Sequence, residues 1–121
     1  MRCLPVMILL TLVAGAAKAG EADVEAVRIE PEPSGAFTFH VTVRHADEGW
    51  DHYADRWEVR AADGGTLGER ILLHPHETEQ PFTRSQSGIV IPAGVNEVVV
   101  RAHDTVHEWG GRELRIAIPA R

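Results

Sequence analysis

The stretch LLHPHETEQPFTRSQSG, from Leu72 to Gly88, sets two histidines either side of a proline. On an extended backbone, positions i and i+2 project to the same side about 7 Å apart, so His74 and His76 could both reach one ion. Pro75 fixes its own φ, has no N–H for a central sheet ladder, and pushes His74 toward extended geometry. A third ligand is available from His52, His103, His107 or His45, with Asp51, Asp55 or Asp104 as carboxylate ligands or as partners behind the histidines. A set of imidazoles and carboxylates without a thiol suits zinc or copper(II). The alternative for the same residues is a polar lattice, in which His, Asp, Arg and Trp order long loops through hydrogen bonds. Arg84 or Arg112 would then pair with Asp104 or Glu108.

Such residues need a scaffold to bring them together, and the rest of the chain reads as strands. In AFTFHVTVRH, Phe37, Phe39, Val41 and Val43 alternate with Thr38, His40, Thr42 and Arg44, the period of a half-buried strand. Further strands are expected at Val24–Ile29, Arg56–Ala61, Leu67–Leu73, Ser87–Ile91, Asn96–His103 and Glu113–Ile118. No segment of ten or more residues has helical spacing with caps. About seven short strands separated by turn signals predict an all-β, antiparallel sandwich of immunoglobulin or fibronectin type III character.

Strands of alternating direction send their connections to alternate ends. One set, EPEPSG, ADGGT and PAGV, consists of tight turns without histidine or aromatic residues. The other set spans residues 46–55, 74–85 and 104–112 and carries Trp50, His52, Tyr53, His74, His76, Phe82, His107 and Trp109. His45 and His103 stand at the strand ends feeding that pole, so six of the seven histidines are expected together and only His40 lies along a strand. Long loops held on a rigid sandwich are where binding tends to reside.

The N-terminus reads as a leader. Arg2 supplies a positive start, Leu4–Ala16 is an apolar run, and AKA at residues 17–19 has the form of a signal-peptidase site. The run is shorter than the roughly 20 residues a membrane span needs. Residues 1–19 are therefore read as a signal peptide and residues 20–121 as one domain, periplasmic or secreted, with no membrane segment after cleavage. The only cysteine, Cys3, lies too early for a lipobox and leaves with the signal. Removal of Arg2 and Lys18 takes the formal charge from −6 to −8 and leaves arginine as the only positive side chain besides histidine. That balance argues against nonspecific nucleic-acid or anionic-membrane binding.

Trp57 points with Val59 and is expected in the core, whereas Trp50, Tyr53 and Trp109 are freer and form a candidate partner surface. Phe82 is expected to plug the fourth loop onto the sandwich end. No nucleophile elbow, triad signature or phosphate-binding glycine loop occurs.

The segments GWDHYADRWEV, HPHETEQPFTRS and RAHDTVHEWGG resemble a family of short, exported proteobacterial proteins of unknown function. The resemblance implies an exported single domain and transfers no activity. Superoxide reductase domains place a histidine–proline segment on a similar scaffold, but the cysteine their iron needs has no counterpart in RAHDTVHEW. The Z subunit of thiosulfate-oxidising carriers also has a histidine–proline segment on such a fold. Taken together, the sequence reads as an exported, monomeric, non-catalytic sandwich binding a partner protein or small ligand through its His/Trp-rich pole. A zinc or copper site stands second, and a small hydrolase or redox enzyme third.

Overall fold

The computed structural model describes residues 20–121; the expected signal peptide, 1–19, lies outside the described residues. The described residues are all-β, with seven strands: β1 (Asp23–Pro31), β2 (Phe37–Arg44), β3 (Ala54–Ala61), β4 (Thr66–Ile71), β5 (Phe82–Ile89), β6 (Glu97–Asp104) and β7 (Leu114–Ala117). They form two antiparallel sheets, β1-β2-β5 and β4-β3-β6-β7, packed as a sandwich. The fourth strand pairs with the third; in the constant-type immunoglobulin order it would join the opposite sheet.

Side-chain parity along two strands builds the core and aims the pole. On β2, Phe37, Phe39, Val41 and Val43 are buried while Thr38, His40 and Thr42 face outward. The phase continues past the strand end, so His45 and Asp47 also turn inward and are buried. On β6, Val98, Val100 and Ala102 are buried, and the same phase carries Asp104 into the interior. Trp57 and Val59 fill the middle from β3, as expected for a core tryptophan.

The fifth strand departs from the expected range. It begins at Phe82, not Ser87, because Phe82 pairs with Val43, Arg84 with Val41 and Ile89 with Phe37. Its central residues, Thr83 to Gln86, show no apolar alternation because β5 is a sheet edge. Phe82 is accordingly a buried strand residue, not a loop plug. The two edge strands approach closely at Gly68 of β4, where an added Cβ would lie 2.9 Å from Ile89 of β5.

The register sets the polarity of the molecule. Val43 stands opposite Phe82, and Ala54 opposite Asp104, so loops 45–53, 72–81 and 105–113 share one end. Short turns occupy the other.

Candidate functional site

The parity of β2 and β6 places His45, from one sheet, against Asp104, from the other, at the loop-bearing end of the core. His52, from the β2–β3 loop, completes a group whose ligand atoms lie within 4.8 Å of one another. The His45 and His52 Nε2 atoms are 3.2 Å apart. His45 Nε2 lies 3.5 Å from Asp104 Oδ2, and His52 Nε2 lies 3.6 Å from Asp104 Oδ1. Ligands about 2.1 Å from a tetrahedral ion stand about 3.4 Å from each other, so these separations match the edges of such a coordination shell.

The groups behind the cluster fix its tautomers. His45 Nδ1 lies 2.5 Å from Asp47 Oδ1, and Asp47 also accepts the backbone N–H groups of Ala54 and His76. With two backbone N–H groups already donating to it, Asp47 accepts a third hydrogen bond from His45 Nδ1. His52 Nδ1 likewise donates to Glu48 Oε1 at 2.9 Å. Both inner Nε2 atoms thereby point at each other and at a carboxylate. Asp104 Oδ1 accepts the N–H groups of Val106 and His107, which orders the β6–β7 loop, while Oδ2 is buried without a hydrogen-bond partner. Three electron-rich atoms converge, and only a proton or a metal cation relieves them.

The electrostatics agree. Burial opposes protonation of His45, but the hydrogen bond and charge of Asp47 and the charge of Asp104 outweigh it and hold the imidazole above its ordinary value. Burial also works to raise the Asp104 carboxyl, yet the backbone N–H groups of His107 and Val106, with the histidine charges, hold it below the usual range.

Four of the remaining histidines border this pole, each in a different setting. His107 sits at the mouth of the cluster, its Nδ1 3.3 Å from Asp104 Oδ2 and its side chain 35% exposed. His103, of opposite parity on β6, faces outward, bound to Asp55 at 2.5 Å and edge-on to Trp109. His74 is exposed, with Nδ1 on the Pro75 carbonyl. His76 is buried and stacked on Phe82 with centroids 4.1 Å apart, neither ring nitrogen having a partner. Burial and the charges of Arg84 and His74 push His76 below its ordinary value. The structure thus brings His52 and His107 to the cluster with His45 and Asp104. It leaves His74, His76 and His103 outside it. The backbone of the HPH segment still serves the site, since the His76 N–H holds Asp47 at 2.6 Å.

His45 and Asp104 entered the sequence reading only as secondary candidates. The signal that marks them is the inward phase of Val41–Val43–His45 and Val100–Ala102–Asp104.

Among the expected surface aromatics, Trp50 is 66% exposed and packs edge-on to the half-buried Tyr53. Trp109 instead lies under Arg101, whose guanidinium carbon is 3.9 Å from the ring centroid. Glu30, His40 and Ser85 form a hydrogen-bonded line across β1, β2 and β5. Cross-strand register alone aligns them, and the flat outer face of a sheet offers no convergent oxyanion donors.

No protein-family model matches the chain, and no solved structure matches it. A curated protein of Halomicrobium mukohataei described as "Putative lipoprotein" is 46% identical over 94 residues. The aligned part is 78% of this chain and 46% of that protein, so the chain spans about half the length of the relative. Among the described residues, no helix is long and apolar enough to cross a membrane.

Proposed function

We propose that the chain is an exported, non-catalytic protein that binds one zinc or copper(II) ion at its loop pole. His45 Nε2, His52 Nε2 and the Asp104 carboxylate are the ligands, with Asp47 and Glu48 orienting the two imidazoles. The observation that carries this reading is the convergence of two Nε2 atoms, 3.2 Å apart, on a buried carboxylate whose Oδ2 has no hydrogen-bond partner. Export is supported by the leader-like residues 1–19 and by a relative described as a lipoprotein.

The test is metal analysis of the protein recovered from the exported fraction, together with melting in added zinc and copper(II). Ligand at a hundred times Kd stabilises by about 2.7 kcal/mol, which in a domain of this size raises the melting temperature by roughly 10 °C or more. His45→Ala/His52→Ala should abolish the rise. An equal rise in wild type and variant would remove the site from consideration.

A second reading, docking of a partner protein on the same pole, is favoured by Trp50 and Val106, 66% and 54% exposed. Trp50→Ala would weaken capture of that partner without changing metal content.

A further inference from the structure

The β6–β7 loop turns back on itself around Asp104. The Asp104 N–H donates to the Glu108 carbonyl and the Glu108 N–H to the Asp104 carbonyl, each at 3.1 Å. Within that ring the Val106 and His107 N–H groups close on Asp104 Oδ1. Glu108 takes a φ of 60°, in the left-handed region where glycine is the ordinary choice. Asp104 thus organises the loop that carries His107, and the His107 ring stands over the mouth of the cluster.

Position holds that ring, and no bond does. Its Nδ1 lies 3.3 Å from Asp104 Oδ2, yet Oδ2 has no hydrogen-bond partner, so the ring is close to the carboxylate without donating to it. Among the described residues His107 hydrogen-bonds through its backbone alone. Three distances link four groups: His52 Nε2 to His45 Nε2 is 3.2 Å, His45 Nε2 to Asp104 Oδ2 is 3.5 Å, and Asp104 Oδ2 to His107 Nδ1 is 3.3 Å. Each is near the edge, about 3.4 Å, of a tetrahedron of ligands around zinc. His107 stands just outside the trio whose ligand atoms lie within 4.8 Å of one another. Its exposed side chain can turn the ring inward without moving the backbone.

We propose that His107 is the fourth ligand of the ion, closing the shell from the solvent side, and that the ion is exchanged through His107 while the three inner ligands stay in place. This rests on the metal reading above. With His45 and His52, His107 makes three imidazoles beside one carboxylate, a closed four-coordinate set. The His45 and Asp104 side chains are fully buried, the first tied to Asp47 and the second to two backbone N–H groups. His107 swings on its own side-chain bonds, a fast motion for an exposed residue, so an incoming donor displaces it first. Such a site hands its ion on to an acceptor and does not lock it into the fold.

His107→Ala removes the ring and keeps the backbone N–H that holds Asp104, so the metal-free variant should melt as the wild type does. Zinc and copper(II) are titrated into the wild type, His107→Ala, His103→Ala and His45→Ala/His52→Ala. The nitrogen hyperfine pattern of bound copper(II) is recorded, and release of each ion to a competing chelator is followed in time. His107→Ala should lose about tenfold or more in affinity, show one fewer coordinated nitrogen and release the ion correspondingly faster. His103→Ala, which removes an outward histidine from the same strand, should match the wild type. Equal affinity, nitrogen count and release rate in the wild type and His107→Ala would overturn the fourth ligand and the exchange route, leaving the three-ligand site standing. No binding by the wild type, or undiminished binding by His45→Ala/His52→Ala, would instead sink the metal reading, and the His107 proposal with it.

Discussion

Two groups of histidines share one pole of this sandwich, tied together by Asp47, and they are opposites. His45 and His52 each have the outer nitrogen engaged by a carboxylate, which aims the inner nitrogens at each other. His74 and His76, the pair with the simpler sequence spacing, have no carboxylate behind them; one is exposed and the other is stacked on Phe82 with both nitrogens idle. The difference teaches that spacing brings imidazoles near each other, while the groups behind them decide whether they can serve an ion.

The largest effect that would sharpen this contrast is loss of a ligand. His45→Ala and Asp104→Asn should each lower zinc or copper(II) affinity by more than about a hundredfold, beyond the 10–100-fold usual for a group one shell out. Retention of wild-type affinity by either variant in calorimetric titration would erase the contrast. Asp47→Asn comes next, with an expected loss of about 10–100-fold. It should also destabilise the metal-free protein by about 1–3 kcal/mol, because buried N–H groups of Ala54 and His76 lose their charged acceptor. Chemical denaturation measures the second effect independently of the first.

The pH dependence has opposite signs in the two groups. Burial opposes charging of His45, but Asp47 and Asp104 outweigh it and raise its value. Its contribution to stability is therefore complete below its unfolded value, near 6.5, and fades as pH rises through the raised folded value. A bound ion replaces that proton, so metal affinity should climb over the window where the metal-free protein weakens. His76 is depressed by burial, then by Arg84 and His74. It contributes stability above 6.5 that fades as pH falls through its lowered folded value. Melting curves across pH should show His45→Ala flattening the first dependence and His76→Phe flattening the second; the reverse assignment would contradict the structure. The smallest effect belongs to His74→Ala, an exposed side chain whose removal should change stability by no more than about 0.5 kcal/mol and leave metal affinity unchanged.

The architecture was legible where burial is one-sided. Phe37–Val43 declared β2 because its inward face is wholly apolar, and the strand count gave the sandwich and the polarity of its loops. The first half of β5 was not legible, since Thr83–Gln86 draw their strand character from pairing with β2 at a sheet edge and not from an apolar face. Of the cluster, His52 and His107 were visible as loop histidines. His45 and Asp104 stood in the sequence as polar residues ending apolar strands, a position that ordinarily signals departure from the core. Extending the two-residue phase by one step past Val43 and Ala102 finds both. The pull toward His74-Pro75-His76 came from spacing alone, which carries no information about Phe82 taking the His76 face or Asp47 taking its backbone N–H.

The most direct measurement is a parallel calorimetric titration of zinc and copper(II) into the wild-type protein, His45→Ala/His52→Ala and His74→Ala/His76→Ala, each verified as folded by its far-ultraviolet spectrum. One site per chain should be found in the wild type, lost in the first variant and kept in the second. Binding that survives in the first variant and disappears in the second would place the ion on the HPH segment and contradict the cluster as the metal centre.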